Sequence, residues 1–449
     1  MKRKADTSFY RKFLTIYVAL VLQNVVTLSV NLADNMMLGS YSETALSGVA
    51  AVNQIQFIYQ QLLMALGDGL VIFCSQYWGK RQTEPMKKIS ATAMHAGLLI
   101  AILLFALVSI FPRQAVGIFT TEESIIREGV SYLSIIRFTY LFFAVTQILL
   151  ATLRSVEVVK IAFYLSVMTF FVNCGINYVL IYGHFGAPEM GAAGAAIGTL
   201  AARMTELVVL IIYIIKKEKQ LHLSIRSYLQ HDRVLSGDYF RVTAPMLVVQ
   251  GLWGVNTALQ TVILGHMTAA AIAANSVAST IFMMVKSMAV GAASTASIII
   301  GNTIGTGDIA LVKKYSGRLQ RIFVVIGLVS GLLLFLIRVP ILQLYDLSAS
   351  TKEMANTFLI ILSVVVIGMS YQMPTNNGII RGGGNAMFVV KMDLISIWGI
   401  VIPLSFVMAC VVKASPAVVV CCLNADQIFK CIPAFLESHY GNWIRKLTR

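Results

Sequence analysis

Twelve apolar stretches of about twenty residues or more run through this chain, each long enough at 1.5 Å per residue to cross a hydrocarbon core about 30 Å thick. They fall near 13–38, 45–77, 90–111, 129–152, 161–183, 190–215, 239–264, 270–303, 320–340, 354–380, 387–411 and 414–438. A hydrocarbon core holds no water to satisfy backbone N–H and C=O groups, so only helices and closed barrels cross it. Barrel strands need only about ten residues, so the lengths select helices. Composition agrees: at 57% hydrophobic and 12% charged, there is too little polar surface to cover a water-soluble core. The first stretch is too long for a cleavable signal peptide and reads as structural.

Residues 30–90 recur at 256–316, displaced by a constant 226 positions. Identical pairs include Leu38/Leu264, Gly39/Gly265, Ala45/Ala271, Ile72/Ile298, Gly79/Gly305, Lys87/Lys313 and Lys88/Lys314. A gap-free register across two apolar stretches and a basic loop marks a duplicated membrane unit. Six spans per copy is an even number, so both copies enter and leave on one side and form parallel repeats. The polar stretch 216–238 joins them. The expected fold is an all-α membrane protein, with twelve transmembrane helices in two parallel-repeat six-helix bundles around a central cleft. The first bundle takes residues 1–220, and the second takes 221–449 with the rest of the linker.

The net charge of +15 invites a nucleic-acid reading, but its placement excludes one. With the N-terminus inside, 26 of the 35 Lys and Arg fall on or at the edge of the inner loops, 5 on the outer side and 4 within spans. That asymmetry predicts both termini in the cytoplasm. The six cysteines lie in apolar stretches without metal-ligand spacing, and no outer loop carries a pair. No Walker A motif is present.

The copies differ at one telling position: Asp34 in the first stands where the second has Gln260. A lone intramembrane carboxylate costs several kcal/mol unless solvated or neutralised, so it suggests a titrating, ion-coupling group. As a satisfied polar residue at a helix end it would be merely structural. Asp34 lies about 7 Å below the outer end of its span by helical rise. The same rise puts Asn177, Asn173, Thr199, Asn53 and Gln54 at about 9–15 Å, in the same layer. Asn173 and Asn177 are four apart and share a helix face, so they could solvate a carboxylate or its cation; packing explains each singly as well. The matching layer of the second half, Asn256, Gln260 and Asn275, is polar and uncharged.

Further charges are secondary candidates. Asp68 lies about 27 Å deeper than Asp34, so the two cannot share a proton; an inner vestibule or a basic loop partner suits it better. Arg137 reaches the Asp34 layer and would hold that carboxylate ionised if it touched it. Lys286 aligns with Gln60 and could serve as a counter-ion to Asp34 or snorkel toward a polar cavity. Arg203–Glu206 and Asp426–Lys430 have helical pair spacing, and Asp393 stands as an unpaired acid near the inner surface. Met36 and Met283 belong to a methionine group suited to an adaptable apolar pocket or to ordinary packing.

Several segments resemble one transporter family. The stretch NLADNMMLG at 31–39 with ETALSGVAA resembles the first-helix signature of the multidrug and toxic compound extrusion (MATE) family. CSQYWGKR (74–81), GINYVLIYG (175–183), MGAAGAAIGTLAAR (190–203) and IIRGGGNA (379–386) resemble later elements in the family's order. The resemblance implies drug or cation export driven by a proton or sodium gradient, in a bacterial inner membrane. Two departures stand out. The family position matching Asn177 is often acidic, and the proline frequent in its first span is Ala19 here, with Pro245 at the repeat position. Pro374, Pro403 and the glycines 382–384 offer other hinges.

These readings converge on a secondary-active mechanism: an H⁺- or Na⁺-coupled antiporter for small amphipathic cations, a monomer in the bilayer with no cofactor, metal or nucleic acid. One proton neutralises a single carboxylate among amides, which favours H⁺. A lipid-linked oligosaccharide or lipid-headgroup flippase is the alternative, but it calls for several cleft cations and only Arg137, Arg203 and Lys286 are at hand. An enzyme lacks a nucleophile–base spacing or a metal-ligand set.

Overall fold

The computed structural model describes residues 2–230, 232–265, 269–343 and 348–448. They are helical almost throughout, and the one β-type pairing among them is the isolated bridge Gly384–Ile444. The first half comprises α1 (Lys2–Tyr41), α2 (Glu43–Gly79), α3 (Thr83–Ile110), α4 (Pro112–Gly117), α5 (Glu123–Ile136), α6 (Thr139–Ser155), α7 (Lys160–Tyr182) and α8 (Gly191–Lys217). The second comprises α9 (Arg233–Gly265), α10 (Ala269–Gly305), α11 (Ile309–Gln343), α12 (Ala349–Met373), α13 (Ala386–Asp393), α14 (Ile402–Phe406), α15 (Pro416–Leu423), α16 (Asp426–Phe429) and α17 (Cys431–Tyr440). Among the described residues ten helical spans are long and apolar enough to cross a membrane, and α5 with α6 makes an eleventh, bent by 53°. The 33-residue α9 is the twelfth long element.

The duplication is written in the helix boundaries. Helices begin at 43 and 269, 83 and 309, 123 and 349, and 160 and 386, each pair 226 apart. The copies meet where α2 crosses α10. A Cβ on Gly79 would overlap the Asn302 carbonyl oxygen and stand 2.8 Å from Gly305 Cα. A Cβ on Gly305 would overlap the Gln76 carbonyl oxygen and stand 2.7 Å from Gly79 Cα. Gln76 and Asn302 are themselves 226 apart, as are Ser75 and Gly301, which also adjoin. Each copy thus presents the same surface to the other, the signature of a local two-fold axis.

Membrane helices need no polar face, and α11 illustrates it. Leu319, Phe323, Ile326 and Leu334 are buried, while Val325, Leu328, Val329, Leu332 and Leu336 on the other side are exposed. A helix apolar all round would be unstable with one side in water. Within α7 and α8, small residues bring backbones together: a Cβ on Gly194 would lie 2.7 Å from the Leu180 carbonyl oxygen.

Two regions of backbone depart from regular helix. At 137–138 no Pro or Gly breaks the fourth span; instead Thr139 Oγ1 donates to the Ile136 carbonyl at 2.6 Å, and Phe138 N–H turns back to Ile135 at 3.2 Å. In the second half, π-helical turns occupy Pro374–Ile380, Leu394–Val401 and Val407–Val411, beside Pro374 and Pro403.

By packing, the chain forms two compact units. One contains Met1–Val21, Ser75–Arg81 and Ala244–Arg449, and the other Leu22–Cys74 and Gln82–Thr243. The first is built on Phe9, Phe13, Ile299, Phe323 and Trp443, and on a second core around Phe358, Leu362 and Val366. The other buries Leu63, Leu66, Leu70, Phe73, Tyr140 and Ile148.

Candidate functional site

Asp34 lies half-buried on α1, in the unit formed by Leu22–Cys74 and Gln82–Thr243. Its Oδ1 accepts a 2.7 Å hydrogen bond from Asn177 Nδ2 on α7. The same amide nitrogen donates to Asn173 Oδ1 at 3.3 Å, one helical turn away. Asn173 Nδ2 in turn donates to Thr199 Oγ1 on α8 at 3.2 Å. Thus four of the six residues that helical rise puts in one layer form one hydrogen-bonded cluster drawn from α1, α7 and α8. The orientation of the Asn177 amide follows from its neighbours: both hydrogens of Nδ2 meet acceptors, so the nitrogen faces the carboxylate.

Close packing of α8 completes the setting. Asn177 Oδ1 is buried without a hydrogen-bond partner and abuts Gly198, where a Cβ would overlap it. Gly198→Ala should therefore push the Asn177 amide off Asp34. Loss of one such hydrogen bond costs about 0.5–1.5 kcal/mol, so substrate transport should fall severalfold while folded yield holds. Gly175→Ala on the same α7 is the control, because its added methyl meets nothing within 4 Å. Equal transport by both variants would remove Asn177 from the working site.

Sequence reasoning missed several neighbours. Buried Tyr132 on α5 lies near enough to feel the charge of Asp34. Of the two α2 residues expected in the layer, Asn53 is half-buried and Gln54 exposed. The cation acting on Asp34 is Arg203, which bonds Glu206 Oε2 at 2.8 Å and lies 4.8 Å over the Phe143 ring. Arg137, expected to approach Asp34, instead sits between Phe105 and Phe138 at 5.7 and 5.3 Å from their centroids. The bend at 137–138 sets that orientation. Small residues at helical spacing in GAAGAAIG were the signal for Gly198; nothing in the sequence marks Tyr132.

The remaining candidates lie apart from this cluster. Asp68 on α2 interacts electrostatically with Arg154 at the end of α6. Met36 on α1 is 74% exposed, so it makes no part of a packed core. In the other unit, Gln260 Nε2 donates to buried Asn256 Oδ1 at 3.4 Å, Asn275 is half-buried on α10, and Met283 is exposed. Lys286 lies 4.9 Å over the Trp253 ring, and the carboxylate acting on it is Asp426, not Asp34. Asp393, expected to be unpaired, bonds Lys430 at 2.8 Å. Among the described residues no three His, Cys, Asp or Glu gather as a metal site.

Comparison with known proteins places this arrangement in a family. The sequence profile of the MatE family matches residues 19–179 and again 245–407, with starts 226 apart like the internal repeat. A probable multidrug resistance protein of Bacillus subtilis, YoeA, is 25% identical over 419 residues, covering 91% of this chain and 89% of its own. The probable multidrug resistance protein NorM of Thermotoga maritima is 24% identical over 436 residues, covering 95% and 92%. Among solved structures, the eukaryotic MATE transporter AtDTX14 superposes with a TM-score of 0.86 at 17% identity, over 97% of both chains. The duplicated profile match, the twelve long helices and the shared fold give one conclusion: the chain belongs to the MatE family and is a multi-pass membrane protein with the fold of its transporters.

Proposed function

We propose that this chain is a secondary-active antiporter that exports small amphipathic cations in exchange for protons, with Asp34 as the group both species use. The observation that carries the reading is the Asn177 amide nitrogen, 2.7 Å from the carboxylate. A Na⁺ ion needs several oxygens turned toward it, and here the nearest neighbour of Asp34 is a donor. A proton needs only the other carboxylate oxygen. Asp34 in its charged form attracts a cation; in its neutral form it releases one, so proton and substrate occupy it in turn. Relatives named as multidrug resistance proteins support the substrate class. The distribution of Lys and Arg supports both termini in the cytoplasm of a bacterial inner membrane. The protein would work as a monomer.

The test is uptake of a fluorescent organic cation by proteoliposomes under an imposed pH or Na⁺ gradient. Accumulation driven by the pH gradient alone is the expected result. Accumulation driven by Na⁺ alone would replace the proton in this scheme. Inactivity toward every cation, with movement of lipid headgroups instead, would replace the substrate class.

A further inference from the structure

The second half of α1, Leu22–Tyr41, carries Asp34 yet fully buries one residue alone, Leu38. A stretch with so few buried apolar contacts is weakly fixed by packing, so its polar contacts matter more. Among the described residues, Leu22–Ser40 makes hydrogen bonds to other helices at two places, and both are on α7. The first is the bond from Asn177 to Asp34. The second is Tyr182, whose hydroxyl stands 2.8 Å from the Met37 carbonyl oxygen and 2.6 Å from Ser40 Oγ.

This second link is a closed triangle, because Ser40 Oγ also lies 2.9 Å from the Met37 carbonyl oxygen. Two hydroxyl hydrogens serve its three edges. Whichever hydroxyl donates to the carbonyl, the other hydrogen bridges the two hydroxyls, so Tyr182 stays tied to α1 either way. Its ring is fixed from three sides, by Tyr41 at 6.4 Å, Tyr178 at 6.2 Å and His184 at 5.7 Å between centroids. Gly183, at φ 70°, ends α7 directly after it.

The spacing makes the two links a pair of rungs. Asp34 to Ser40 is six residues, about 9 Å of helix, and Asn177 to Tyr182 is five, about 7.5 Å. The rung at Asp34 must change each time that carboxylate exchanges one partner for another. The rung at Tyr182 is built from hydroxyls and a backbone carbonyl and takes no part in that exchange. It can therefore hold the register of α1 on α7 while the other rung is remade.

We infer that Tyr182 is a positioning residue for Asp34: its hydroxyl pins the last turns of α1 to α7 and so keeps the carboxylate at the Asn177 amide. Its part in transport rests on the antiport reading above, but the anchoring itself does not. Tyr182→Phe keeps the ring and removes only the hydroxyl.

Equilibrium binding of a fluorescent organic cation to the purified protein, run as a double-mutant cycle with Asp34→Asn, tests the role. Tyr182→Phe should weaken binding about 3–10-fold when Asp34 is present, the size expected for losing a hydrogen-bonded anchor. In the Asp34→Asn background, with no charge left to place, it should change binding less than about twofold. Equal losses in both backgrounds would overturn the assignment, since a merely structural role weakens both alike. Ser29→Ala removes an α1 hydroxyl bonded only to Val25 of the same helix, and it should bind like wild type. A loss there as large as that of Tyr182→Phe would reduce the effect to a general disturbance of α1 and overturn it too. Hydrogen–deuterium exchange gives a readout that needs no ligand. Tyr182→Phe should speed exchange in peptides covering residues 34–41 and leave α3 unchanged, whereas unaltered exchange at 34–41 would deny the anchor. A wild-type protein that binds no organic cation would sink the antiport reading, and the exchange result would still decide whether Tyr182 holds α1.

Discussion

Asp34→Asn should abolish gradient-driven accumulation of organic cations while leaving the protein folded. The substitution is nearly isosteric, and the introduced amide oxygen can still accept the 2.7 Å hydrogen bond from Asn177. What disappears is the change of charge. A site that stays neutral cannot favour a cation in one state and a proton in the other, so the gradient loses its hold on the substrate. Coupling between two ligands amounts to about 1–3 kcal/mol, a factor of about 5–150 in affinity. Binding of the cation should therefore weaken within that range, and its dependence on pH should flatten. Equilibrium binding at two pH values and counterflow in proteoliposomes measure the two effects separately. Asn173→Ala removes only one interhelical hydrogen bond, with membrane examples averaging about 0.6 kcal/mol, so it should retain most transport. Full gradient-driven transport by Asp34→Asn would move coupling to another group.

How far this could be read from the chain depended on the kind of interaction. Helix extents were legible because a membrane span must be long and apolar, and the 226-residue register was legible because whole helices repeat. The fixed rise of a helix sufficed to put Asp34, Asn173, Asn177 and Thr199 at one depth, and the structure joins them. Depth says nothing of rotation, however. It placed Arg137 in the layer, whereas the bend at 137–138 turns that side chain between two phenyl rings. That bend comes from a threonine hydroxyl competing for a backbone carbonyl, and no proline or glycine announced it. Nor could spacing pair Asp393 with Lys430, which are 37 residues apart on different spans.

The crossing of α2 and α10 should be the least tolerant place in the fold. At most interfaces an added methyl displaces a flexible side chain, but here it would meet carbonyl oxygens and the opposing glycine. Gly79→Val must force two backbones apart, and overpacking of that kind costs about 1–3 kcal/mol or more. Because the contact is two-fold, Gly79→Ala and Gly305→Ala should lower the thermal midpoint of detergent-purified protein by similar amounts. The double variant should lose less than the two single losses added together, since helices already parted by one methyl leave room for the second. Gly237→Ala, with nothing within 4 Å of the added methyl, tests whether a generic glycine substitution matters. A large loss at one of the two crossing glycines and none at the other would mean that the copies do not meet symmetrically. Additive losses would mean that the two methyls strain separate contacts. Similar and sub-additive losses would trace the instability to one shared backbone crossing, the point at which the duplicated halves of this sequence touch on equal terms.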